Sequence, residues 1–208
     1  MKSNEQLQKD VLDAIKWEPQ LHAAEIGVIV HDGIVTLTGT VDNYNKKLAA
    51  QDATKEVAGV KAVVEKIDVK YPHSGIKSND EIAAEALKSL KNHWNVPDER
   101  IKIEVEDGWI TLNGDVHWNY QKEAAKRAVE NIPGVKGVFN HIQIKTQHKS
   151  ELEKKVIENA LRRHWSINAD DIRVLVDNDK VILNGTVTSL YQKEEAEKIA
   201  WKTPEFCL

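Results

Sequence analysis

Eight histidines, one cysteine and a scatter of acidic pairs are the residues of this chain that could hold a metal or move protons. Zinc sites draw on ligands at close helical or turn spacings, such as His-x-x-x-His or Cys-x-x-Cys. His22, His31, His73, His93, His117, His141, His148 and His164 contain no such pair, and Cys207 has no second thiol to bond with. Asp170-Asp171 and Glu194-Glu195 read as solvated acids, in a loop and on a charged helix face. There is no glycine-rich phosphate loop, no nucleophile elbow and no calcium loop. The residues therefore predict no catalytic site, no metal and no cofactor, and a protein that acts by binding.

Charge narrows the partners. The net charge is −4, from 29 basic and 33 acidic residues, and the acidity is spread evenly along the 208 positions. A nucleic-acid binder concentrates lysine and arginine on one face or one half, so nucleic acid is not expected as a partner. No apolar run reaches the roughly 18 residues of a membrane span. The first residues lead straight into helical sequence without the apolar centre of a secretion signal, which reads as cytoplasmic. A chain that had already lost its signal would read the same way and would be periplasmic.

The elements come from an internal repeat. Asp32-Gly33-Ile34-Val35-Thr36-Leu37-Thr38-Gly39-Thr40-Val41 matches the run from Asp107 to Val116, and both match Asn178 to Val187. Tyr120-Gln121-Lys122-Glu123 returns as Tyr191-Gln192-Lys193-Glu194. Each copy opens on a helix-start signal: Ser3 with Gln6, Ser78 with Glu81, Ser150 with Glu153. Helical stripes follow (Leu7, Val11, Ile15; Ile82, Ala86, Leu90, Trp94; Leu152, Val156, Ala160). Alternating strands come next: Ile26, Val28, Val30; Ile101, Ile103, Val105; Ile172, Val174, Val176. Asp32-Gly33 and Asp107-Gly108 supply hairpin turns, and Asn178-Asp179 takes that place in the third copy. A second, alanine-lined helix begins near residues 43, 119 and 190, and Gly59-Val60 and Gly134-Val135 lead into a last strand.

The prediction is an α+β chain of three αββαβ modules, at 1–72, 76–147 and 148–208. Each module is a three-stranded sheet with both helices on one face, the simplest way to bury one side of a sheet. Thr203 to Leu208 aligns with Ile132 to Gly137, so the third module is expected to lack its last strand and to leave an incomplete sheet.

This order, with its Asp-Gly hairpin, in-register glycine and Gly-Val strand entry, resembles the BON domain three times over. The resemblance implies a non-enzymatic protein associated with phospholipid membranes, envelope integrity and osmotic stress. It also draws attention to Gly39, Gly114 and Gly185, either as a ligand approach point or as packing glycines of the kind that strand ends use.

On the outer sheet faces the alternation places Ile29, Ile34 and Val64, then Trp109 and Phe139, then Leu175 and Ile182, where a one-sided sheet would carry polar residues. Together with Trp118 they form the candidate interaction face. With linkers this short, neighbouring modules are expected to bury most of it against each other. Trp94 and Trp165, and Trp17 near the same place, are expected to cap the core, whereas Trp109 and Trp118 suit a wet–apolar boundary.

Three readings of function stay open. The first is attachment to phospholipid or to a membrane-proximal protein in osmotic or envelope stress. The second is a soluble protein–protein scaffold or homo-oligomer, joined through the incomplete third sheet. The third is a cytosolic stress protein binding a small ligand or cation.

Overall fold

The computed structural model describes residues 2–21, 25–72, 77–145, 154–177 and 180–202. In the first repeat, α1 (Asn4–Trp17) starts because the Ser3 side chain accepts from the Gln6 N–H at 3.2 Å. It buries Leu7, Val11 and Ile15, its predicted stripe. Strands β1 (Ile26–His31) and β2 (Ile34–Val41) form an antiparallel hairpin whose turn residues, Asp32 and Gly33, have φ of 50° and 85°. Both central residues of that turn type need positive φ, which is why Asp-Gly stands there. After α2 (Tyr44–Glu56), β3 (Ala62–Val69) returns parallel to β2, giving the order β1-β2-β3.

The second repeat runs α3 (Asn79–Asn92), β4 (Ile101–Glu106), β5 (Trp109–Val116), α4 (Asn119–Glu130) and a last strand in two pieces, β6 (Gly137–Asn140) and β7 (Gln143–Ile144). The break is local: the Asn140 amide donates to Lys122 O while its carbonyl accepts from Ile142 N. The predicted capping box is complete here, with Ser78 and Glu81 each bonding the other's backbone N–H. The third repeat runs α5 (Lys154–Arg162), β8 (Ile172–Asp177), β9 (Lys180–Gly185) and α6 (Leu190–Trp201). The Ser150–Glu153 signal, the Asn178-Asp179 turn and residues 203–208 lie outside the described residues. Among the described residues, β9 pairs with β8 alone. Val181 and Leu183 are half-buried there, where their equivalents Val35, Leu37, Ile110 and Leu112 are fully buried.

The first two repeats share one hydrophobic core, from Leu7 to Ile142, and the third has its own, built on Ile157, Leu161, Ile167 and Val174. The first two meet at the start of α2. Tyr44 is buried there, and Lys47 Nζ lies 5.7 Å from the Trp109 ring centroid. The third repeat touches the pair through Leu190, through Gly59 N donating to Thr188 O at 3.0 Å, and through a 2.7 Å Lys55–Glu194 ion pair.

These junctions overturn one expectation. Neighbouring modules do not bury each other's outer sheet faces, because the third meets the first through α2 against α6, and the second meets the first around Tyr44 and Tyr71. All seven outward residues remain exposed, Ile29 at 62%. Of these, Trp109 carries the Lys47 ammonium of the neighbouring repeat over its ring.

Candidate interaction surface

The three glycines have a structural role. A Cβ on Gly39 would meet Glu25 O at 2.0 Å, one on Gly114 would meet Arg100 O at 2.1 Å, and one on Gly185 would meet Asp171 O at 2.1 Å. The backbone that enters the first strand of each hairpin fills the place of a side chain, and it leaves no ligand space on that side. Gly39 and Gly114 also hold φ of 134° and 141°.

The outer faces differ in texture. On the second sheet Trp109, Phe139 and His141 stand in a row, with ring centroids 5.1 Å and 6.3 Å apart and planes within 16°. Trp109 lies against Gly137, where a Cβ would clash with the indole ring. On the first sheet Ile29, Ile34 and Val64 make an aliphatic patch, and on the third Leu175 lies directly opposite Ile182. Trp118, half-buried at the start of α4, stacks on Tyr120 at 6.4 Å. Its backbone N–H and that of His117 both donate to Gln121 Oε1, which fixes this corner.

The largest exposed surfaces are elsewhere. Trp17, Trp94 and Trp165 are 85%, 90% and 88% exposed, so none of them caps the core. The reason is where the helices stop. α3 ends at Asn92, and its C-cap His93 is already extended at φ −92°, ψ 106°. Trp94 is thus off the stripe that Ile82, Ala86 and Leu90 make. The core position goes to Val96, and in the equivalent places to Leu21 and Ile167, all buried. A signal was present in the sequence: an apolar residue two places after each tryptophan in the second and third copies.

Folding also assembles a group that spacing did not reveal. His164 Nδ1 is 3.0 Å from Ser166 Oγ, and its Nε2 is 3.6 Å from Glu195 Oε2. The order carboxylate–imidazole–hydroxyl is that of a nucleophilic site. Here, however, Glu195 is also bound by Lys198 at 2.7 Å, and the group lies away from the cleft beside α5. The imidazole stacks on Trp165 at 6.4 Å, so the group braces the loop that carries this exposed indole. In the second repeat the corresponding His93 has a buried Nδ1 without a partner. Among the described residues no cluster of His, Cys, Asp or Glu could hold a metal, and no helix is long and apolar enough to cross a membrane.

Fold and surface together define a class: tandem helix-backed sheets that present indole rings and apolar sheet faces to solvent. The chain belongs to the BON domain family, whose profile matches residues 3–71, 78–146 and 149–205. It is similar to Osmotically-inducible protein Y of Escherichia coli (strain K12), at 29% identity over 129 residues, covering 60% of this chain. The chain spans 64% of the length of that relative. It is also similar to an uncharacterized protein in the gshII 5' region of Anaplasma centrale, at 26% identity over 125 residues, covering 59% of this chain and 83% of the other. Two structures of CdsD, a structural protein of the Type III secretion system of Chlamydia trachomatis, overlay on it at TM-scores of 0.26 and 0.27. They are 15% and 14% identical and cover 92% and 95% of this chain, and 83% and 89% of their own.

Proposed function

We propose that this chain is a non-enzymatic adaptor that attaches to phospholipid surfaces, in a setting of osmotic or envelope stress. The supporting observation is the trio of solvent-facing indoles, Trp17, Trp94 and Trp165, one near the end of each repeat's first helix. An indole has an apolar body and one N–H donor, and it gains most where hydrocarbon meets water. The similarity to an osmotically inducible protein supports the stress setting. Repetition supplies strength. One indole gives a weak contact, whereas tethered copies present the second and third at effective concentrations on the order of millimolar. With a net charge of −4, attachment rests on apolar insertion more than on attraction to anionic headgroups.

The test is co-sedimentation with neutral and with anionic vesicles at physiological salt, together with quenching of tryptophan emission by brominated lipid. Binding with quenching, and its loss in the Trp17→Ala/Trp94→Ala/Trp165→Ala variant, is expected. Absence of binding to either vesicle by the full chain would reject the reading.

A further inference from the structure

Every repeat leaves the first strand of its hairpin at the edge of its sheet, and the three edges differ. In the first repeat Gln8 Nε2 donates to Val28 O at 2.7 Å, so the carbonyl of Val28 points outward. Successive residues of a strand send their backbone groups to opposite edges. Ile26, Val28 and Val30 therefore face the open edge, and Gln8 occupies its centre. The hairpins share one register: Val28 pairs with Leu37 as Val174 pairs with Leu183. The backbone groups of Ile172, Val174 and Val176 thus form the outer edge of β8. Matching the buried Val11 and Ile15 to Ile157 and Leu161 puts Lys154 at the helix position of Gln8, and Lys154 pairs with Glu158 at 3.5 Å. A cleft of about 640 Å³ runs between α5 and this edge, lined by Leu161, Arg162, Ile172, Arg173 and Leu175 among others. Among the described residues no side chain bonds the outer edge of β8, and such an edge with open space beside it is a template for another strand.

We propose that β8 of one chain pairs antiparallel with β8 of a second copy, about a two-fold axis through Leu175. In this register Val174 faces Val176 of the copy, and Val176 faces its Val174. Both residues present outward N–H and C=O groups, so they form two hydrogen-bonded pairs. On the outer face Leu175 meets its own counterpart, and Arg173 comes opposite Asp177 at both ends. Strand segments that match themselves in this way suit an isologous contact. Registers centred on Arg173 or Asp177 would oppose like charges. The joined sheet would carry Ile182, Leu175 and their two counterparts as one apolar row four strands wide. The other repeats are unsuited: Gln8 covers the first edge, and Glu104 stands at the centre of the second, where it would face itself. The proposal does not depend on lipid binding.

A six-residue strand pair buries little area, so assembly belongs at the weak end and must depend on concentration. Sedimentation velocity of the full chain across a wide concentration range is the first measurement, and reversible dimerisation is expected. Arg173→Asp places two acids face to face at each end and is expected to weaken the dimer about tenfold. The swap Arg173→Asp/Asp177→Arg should restore it, with circular dichroism confirming the fold of each variant. In a Cys207→Ser background, Leu175→Cys should form an interchain disulfide on mild oxidation, since facing Cα atoms of a non-hydrogen-bonded pair lie about 4.5 Å apart. Arg173→Cys, two residues off the axis and facing Asp177 of the copy rather than its own counterpart, should not. A monomer at every concentration, or a dimer indifferent to Arg173→Asp, overturns the proposal. So does a charge swap that fails to restore assembly, or equal cross-linking at positions 173 and 175.

Discussion

The Tyr71 hydroxyl donates to the Val135 carbonyl at 2.7 Å across the boundary between the first two repeats, and accepts from the Tyr44 N–H at 3.4 Å. One phenol thus satisfies two backbone groups from different repeats, where the cores merge. Burial raises its pKa above the usual 10.0, so the hydroxyl stays a donor at ordinary pH.

Tyr71→Phe keeps the ring and removes both bonds. Leaving Val135 O and Tyr44 N unpaired should cost about 1–3 kcal/mol, measured by urea unfolding. Since the folded pKa of Tyr71 is raised, its contribution is complete below the unfolded tyrosine value. It fades as pH climbs past that value, so the gap between wild type and variant should narrow there.

Gly114→Ala should be among the most damaging single changes in the second repeat. The added carbon meets the Arg100 carbonyl, and φ of 141° strains any L residue. A loss of at least about 2 kcal/mol is expected from the clash and strain together, read as a lower thermal midpoint. Gly137→Ala should be milder, because its obstacle is the side chain of Trp109, which can turn away.

The Glu81 carboxylate accepts from the Ser78 N–H at 2.8 Å and the Ser78 hydroxyl at 3.0 Å, with the backbone bond as the main cause of a pKa below 4.5. A depressed folded pKa means the box stabilises α3 above the unfolded glutamate value and is lost as pH falls through the folded one. NMR titration of Glu81 should show a pKa below the ordinary 4.5, and Ser78→Ala, which removes the hydroxyl bond but keeps the backbone N–H, should undo only the smaller part of that shift.

Trp94→Ala and Trp165→Ala should shift stability by no more than about 0.5 kcal/mol, since the indoles are solvated. Each should still weaken vesicle binding. Loss of stability comparable to that of Val96→Ala would show that the indole packs on the core after all.

The Lys55–Glu194 pair should show a coupling of about 0.2–1 kcal/mol, reduced by added salt, because Glu194 is well exposed. A double-mutant cycle with Lys55→Ala and Glu194→Ala measures it. Limited proteolysis would show whether the third repeat loosens when the pair is removed.

The sequence by itself determined the repeat, the order of elements in it and the inward face of each strand. Those features are periodic and local: alternation places Val35 and Leu37 inside, Asp32-Gly33 turns the chain, and Ser78 with Glu81 starts a helix. It also fixed which residues point away from the helices, from Ile29 to Ile182. Tertiary structure decided what covers them. How repeats meet depends on a few contacts between residues far apart in the chain, such as Tyr71 with Val135 and Leu190 with the first core, and no period encodes these. The tryptophans show the same limit. Trp94 continues the spacing of Ile82, Ala86 and Leu90, but α3 ends at Asn92, so the extended His93 sends Trp94 outward while Val96 takes its place in the core. Where a helix stops is set by the balance of capping and packing at one residue, and that balance forms only when the sheet is in place.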